Sequence, residues 1–107
     1  MAITKSVTGP GAPATWSFDF TGDLGPFMLD DRFSMTTFFS VTPGTYTISE
    51  TAVAGFEASV ECSNGDSSPN GTLTVTLNPG ETVVCTFTNS TVVTPTGSSI
   101  LLPVIIR

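Results

Sequence analysis

Histidine is absent from this sequence and basic residues are scarce, since one lysine and two arginines stand against nine acidic residues. Nucleic acid recognition and attachment to anionic membranes both need many Lys and Arg side chains, so the composition excludes both partners. Two cysteines without histidine are too few for a zinc site, and we predict no metal and no cofactor. No D-x-D-x-D-G calcium loop occurs, so four aspartates are assigned to solvated turns: Asp19, Asp23, Asp30 and Asp31.

Catalytic motifs and long apolar segments are missing as well. There is no G-x-S-x-G elbow and no P-loop, so we predict that the protein is not an enzyme. The longest apolar stretch, ILLPVII, is too short to cross a bilayer, and the start MAITKSV has no signal-peptide run. No window of ten residues has helical apolar spacing, which leaves an all-β fold.

Turn signals divide the chain into short extended segments about every 8–12 residues, which is typical of a β-sandwich or barrel. The first strand is predicted over 2–8, and FSMTTFFSV is predicted as a further strand. The segment TLTVTLNPGETVVCTFTN predicts a hairpin that turns at Pro79 and Gly80.

The composition changes near residue 90. We predict a β-sandwich domain over 1–90, a polar Thr/Pro/Gly linker over 91–98 and an apolar C-terminal strand over 99–107.

Three polar side chains fall on the inward faces of their predicted strands. Side chains alternate along a strand, so Lys5 shares a face with Ile3 and Val7. By the same count Glu50 follows Tyr46 and Ile48, and Asn89 follows the apolar side chains of the last strand.

These three residues allow two interpretations. Each can simply end its strand, with Lys5 reaching an edge and the other two beginning turns. Alternatively they meet in the core, where burial lowers the pKa of the amine and raises the pKa of the acid. A neutral Lys5 could then attack the Asn89 side-chain carbonyl with help from Glu50, releasing ammonia and forming an isopeptide bond.

A resemblance bears on this choice. The segment GTYTISETAVAGF is similar to the G-x-Y-x-[LIV]-x-E-T…G-[YF] segment of Cna B-type, SpaA-like domains. ITKSV resembles their first strand and CTFTN their last, so the resemblance covers roughly residues 2–90. It implies a transthyretin-like (prealbumin-like) β-sandwich of about seven strands, here with an extra apolar C-terminal strand. It also implies a Lys5–Asn89 cross-link with Glu50 as the assisting acid, although many relatives lack the bond.

Cys62 and Cys85 both lie on inward faces, and the strand of Cys62 precedes the predicted hairpin, so the two can be neighbours. We predict a disulfide, which indicates an oxidising compartment, rather than two buried thiols. Because relatives do not generally share this pair, it could replace the isopeptide bond. Candidate glycosylation sites are the sequon asparagine and three threonines of the linker region: Asn70, Thr91, Thr94 and Thr96.

The C-terminal segment SSILLPVIIR is prone to aggregation if it is exposed to solvent, because exposed apolar strands pair with other chains. It can pack on its own domain or be donated to a neighbouring subunit by β-augmentation, since Pro103 suits a strand paired on one side. A third alternative is a sorting signal for surface attachment or a disordered tail, although the L-P-x-T-G pattern is absent. The predicted contact residues are its six apolar side chains: Ile100, Leu101, Leu102, Val104, Ile105 and Ile106.

The function predicted from these features is structural. We expect a pilin-like subunit of an extracellular or cell-surface fibre or stalk, joined head-to-tail to copies of itself. The alternatives are an adhesin module that binds a host-surface or carbohydrate ligand through its loops, and a spacer domain of a secreted protein. The aromatic residues fall mainly in predicted strands rather than loops, which favours the structural interpretation.

Overall fold

The computed structural model describes residues 1–92, which form a β-sandwich of nine strands with no helix in that range. The prediction of an all-β sandwich is confirmed. The strands are β1 (Ala2–Thr8), β2 (Ser17–Gly22), β3 (Phe27–Asp30), β4 (Met35–Thr37), β5 (Gly44–Glu50), β6 (Phe56–Cys62), β7 (Ser67–Ser68), β8 (Thr72–Leu77) and β9 (Val84–Thr91).

Two sheets form the sandwich. One has the strand order β4-β1-β9-β6-β7 and the other β3-β2-β5-β8. β1 and β9 run parallel as neighbours, and the other strand pairs are antiparallel. The first strand and the last described strand therefore lie side by side along their whole length.

Period-two alternation produces the core. In β8, Leu73, Val75 and Leu77 are buried while the intervening threonines are exposed. β2 buries Phe18 and Phe20 in the same way, because alternate side chains of a strand point to opposite faces. The inward side chains of both sheets interdigitate as one apolar cluster.

The hairpin predicted at Pro79 and Gly80 is wrong. β8 pairs with β5 in one sheet, whereas β9 pairs with β1 and β6 in the other, so the segment between them crosses the sandwich. Pro79 and Gly80 indicate a turn, but a turn does not specify which strands pair on either side of it. The partners of β9 depend on which sheet can bury Val83, Cys85 and Phe87.

Two further expectations change in detail. The strand predicted over FSMTTFFSV is only Met35–Thr37, which leaves Phe33 and Phe39 outside strands. Nine strands replace the expected seven or so, because β4 and β7 are only three and two residues long. Of the linker predicted over 91–98, Thr91 still belongs to β9. Residues 93–98 and the C-terminal strand predicted over 99–107 lie outside the described residues.

Candidate cross-linking site

Lys5 lies in the interior of its sheet. β1 is flanked by β4 and β9, and Lys5 pairs with Phe87 of β9. Its side chain points between the sheets, as alternation predicts, and its ammonium end is fully removed from solvent. The sole lysine of the chain is therefore a core residue.

Glu50 and Asn89 approach Lys5 from two directions. Asn89 comes from the neighbouring strand β9, two residues beyond the position paired with Lys5. Glu50 comes from the opposite sheet, at the end of β5, where its main-chain N–H donates to the carbonyl of Gly71. These three are the buried polar residues among those the structure describes.

The three functional groups are in contact. Lys5 Nζ donates to Asn89 Oδ1 at very close range, and it also donates to the main-chain carbonyls of Ser6 at 3.1 Å and Phe87 at 3.4 Å. Glu50 Oε2 lies 3.5 Å from Lys5 Nζ. Neither Glu50 oxygen has a hydrogen-bond partner of good geometry among the described residues. Of the two interpretations of the sequence, the placement of the three side chains corresponds to the one in which they meet in the core rather than end their strands separately.

Burial favours the neutral forms of both ionisable groups. Desolvation lowers the pKa of Lys5 despite the nearby Glu50 carboxylate, which acts in the opposite direction. Desolvation likewise raises the pKa of Glu50, opposed by the Lys5 charge and by the Asn89 side chain. A proton passed from the ammonium to the carboxylate produces an unprotonated amine and a carboxylic acid, which are the forms that acyl transfer requires.

A family model described as a SpaA-type prealbumin-like fold domain matches residues 1–91. The chain belongs to this family. The prealbumin-like fold expected from the sequence is thereby confirmed. Comparison with curated proteins and with solved structures finds no significant match. Within residues 1–92 of this SpaA-type domain, no helix has the length and apolarity needed to cross a membrane.

Two aromatic rings of the SpaA-type domain line the lysine. Lys5 Nζ lies 4.3 Å from the centroid of the Phe18 ring and 5.9 Å from that of Trp16. The two rings are themselves in contact, with centroids 5.8 Å apart. They exclude water from the amine and attract its charged form through the ring face. Alternation in β2 places Phe18 inward, and Trp16, directly before that strand, lies on the same side, but nothing local in the sequence indicates that the two rings meet Lys5.

A disulfide joins the second pair of predicted site residues. Cys62 and Cys85 are directly opposite each other in the β6–β9 ladder and are bonded. Lys5 and Asn89 lie in the same sheet as the disulfide, and the two pairs share no residue, so the domain has room for both links.

The remaining predicted sites are on the surface or outside the described residues. Asn70 is exposed in the turn before β8, and its Oδ1 accepts the main-chain N–H of Thr72. The Thr91 hydroxyl donates to the carbonyl of Pro10. Within residues 1–92 no three acidic or cysteine side chains are grouped closely enough to hold a metal ion. Sites that lie outside the description are Thr94, Thr96, Ile100, Leu101, Leu102, Val104, Ile105 and Ile106.

Proposed function

We propose that this SpaA-type domain is a non-enzymatic structural module of an extracellular surface fibre or stalk, locked by an isopeptide bond between Lys5 and Asn89. The observation that carries the proposal is the contact of the buried Lys5 Nζ with the Asn89 amide, beside Glu50. SpaA-like domains occur in bacterial surface proteins, which agrees with an extracellular location and with the disulfide.

The proposed reaction exchanges one amide for another. Neutral Lys5 Nζ attacks Asn89 Cγ, and protonated Glu50 donates a hydrogen bond to Oδ1, where negative charge develops. As the tetrahedral intermediate collapses, the Cγ–Nδ2 bond breaks. Nδ2 leaves as ammonia, carrying its two hydrogens and one from Lys5, with Glu50 relaying that proton. Lys5 and Asn89 are consumed in a single event while Glu50 is left unchanged, so the cluster acts once and does not turn over.

Intact mass tests the bond. After reduction of the disulfide, the wild-type protein should be lighter than its sequence by one ammonia. Lys5→Met, Asn89→Ala and Glu50→Gln should each have the full mass of their own sequences. Asn70→Ala is the matched control, because it removes an exposed asparagine and should keep the deficit. A wild-type protein of full sequence mass contradicts the cross-link.

We further propose that the modules join head-to-tail, each donating residues 99–106 as a strand to the next copy. Each copy would donate a strand at one site and accept its neighbour's strand at a different site. Such a heterologous contact does not form a closed dimer, so it extends into a filament. Electron microscopy of the full chain should show filaments, and removal of residues 98–107 should abolish them. Monodisperse single particles of the full chain at high concentration contradict this mode of assembly.

A further inference from the structure

The two long sides of the sandwich differ in chemistry. On the side formed by β7 and β8, polar side chains occupy the exposed main chain of β8. Asn64 Nδ2 donates to the carbonyl of Thr76, whose N–H donates to Asp66 Oδ2. The N–H of Thr72 donates to Asn70. With only threonines on its outward face, this edge offers little to an incoming apolar strand.

The opposite side, formed by β3 and β4, exposes apolar side chains. Phe39 is 85% exposed, Phe33 71%, Met35 59% and Met28 53%. These four are the most exposed large apolar residues in the described part of the chain. Such a concentration on one side of a small domain is typical of an interaction surface.

Among the residues that the structure describes, some main-chain groups of β4 have no partner. Phe38 and Met1 exchange two main-chain hydrogen bonds, and the Lys5 N–H donates to Ser34. Because ladder bonds alternate along an antiparallel pair, the main-chain groups of Met35 and Thr37 point away from β1. Within residues 1–92, β4 is thus an edge strand whose outward main-chain donors and acceptors have no partner, beside exposed apolar side chains.

We propose that this β4 edge is the acceptor for residues 99–106 of a neighbouring copy of the chain. The inference rests on the head-to-tail assembly proposed above and identifies where the donated strand docks. An added strand here would have one face toward Phe27 and Phe38, which are half-buried and in edge-to-face contact between the two sheets at 5.3 Å. Its other face would lie beside Met35.

The donor segment fits an edge that is apolar on both faces. Its two alternating sets of side chains are Ile100, Leu102, Val104 and Ile106 on one face, and Leu101, Pro103 and Ile105 on the other. A strand on the surface of an ordinary sheet would be polar on one face, whereas this one is apolar on both. Charge is also complementary, because residues 1–92 carry two basic and nine acidic residues, while Arg107 is the charged residue of 93–107.

The direction in which the chain leaves β9 favours a neighbour's β4 over its own. The N–H of Val92 donates to the carbonyl of Gly55, which directs the chain toward β6. β4 lies on the other side of β9, beyond β1. The β1–β2 segment stands in between, since Thr91 packs against Gly9 and bonds to Pro10.

Cysteine pairing tests the contact in the full chain. Mild oxidation of a mixture of Met35→Cys with Leu101→Cys or Leu102→Cys should produce a disulfide-linked dimer, because one of the two donor positions must face Met35. Val53→Cys, also exposed but in the β5–β6 connection, is the matched control and should give little dimer. Equal yields from Met35→Cys and Val53→Cys overturn the proposal. So does a link within one chain when both cysteines are placed in the same diluted molecule.

A second experiment needs no new thiol. Met35→Asp places a charge beside the docked strand, so sedimentation should show self-association about tenfold weaker or more. Val53→Asp should associate like the wild type, and both variants should melt like the wild type because both side chains are exposed. If Met35→Asp still forms normal filaments, the acceptor edge is wrong while the assembly stands. If the wild type forms none, the assembly itself is wrong.

Discussion

Loss of the Lys5–Asn89 bond should destabilise the domain by an amount that can be calculated from the chain. The bond closes a loop between residues 84 positions apart. Treated as a cross-link that removes loop-closure entropy from the unfolded state, such a loop is worth about 4.5 kcal/mol at 25 °C. For a domain of this size that corresponds to a melting temperature lower by roughly 20–35 °C.

A double-mutant cycle separates the bond from ordinary packing. Lys5→Met and Asn89→Ala each remove the link, and each also changes local contacts by its own amount. In the double variant the link is lost only once, so the summed effects of the single variants should exceed the double-variant effect by about 4.5 kcal/mol.

Denaturant unfolding of the four proteins, with the disulfide kept intact, measures this coupling. A control cycle pairing Lys5→Met with Asn70→Ala should be additive, because Asn70 is exposed and does not contact Lys5. Additive effects in the first cycle would refute the reasoning, since two residues that share no covalent bond and only one hydrogen bond couple far more weakly.

Two other measurements address the disulfide and the buried acid. Replacing both Cys62 and Cys85 with Ala removes a cross-link between residues 23 positions apart. By the same entropy model, the free energy of reversible unfolding should fall by about 3.5 kcal/mol. An unchanged free energy of unfolding would mean that the disulfide does not form in solution. In Lys5→Met, Glu50 keeps a pKa above its ordinary 4.5 because burial is no longer opposed by a cation. The folded form then holds its proton more tightly than the unfolded chain, so stability should be greatest below pH 4.5 and fall as pH rises through the raised pKa. In the double variant Lys5→Met/Glu50→Gln, stability should no longer fall as pH rises through this range. If stability still falls, a group other than Glu50 is responsible.

The inward placement of Lys5, Glu50 and Asn89 could be predicted because strand alternation is a local property. Each residue lies within an unbroken strand, so counting by two from its apolar neighbours identifies its face. Their mutual contact could not be predicted in this way. Two of them are brought together by the parallel pairing of β1 with β9, across more than eighty residues of chain. The family resemblance implied a Lys5–Asn89 cross-link, but it did not specify this pairing.

The length of β4 could not be predicted because side chains outside the strand pattern decide it. The Asp30 carboxylate accepts the main-chain N–H groups of Arg32 and Phe33, which holds this segment in a turn until Ser34. At the other end Ser40 has a φ of 56°, in the left-handed region that an extended strand does not use. The aromatic residues suggest a longer strand by composition, yet these two turns leave Phe33 and Phe39 exposed.

In a stalk whose modules are joined through their chain ends, the two links would lie in the path of a pulling force. A pull on both chain ends acts along β1 and β9, which are parallel neighbours with the chain entering at Ala2 and leaving beyond Thr91. With a bond between Lys5 and Asn89, the force would pass through residues 1–5, cross that bond and leave by 89–92. Nearly all of the sandwich would then carry no load. The disulfide ties β9 to its other neighbour β6, so covalent bonds would fix the load-bearing strand to the sheet on both sides.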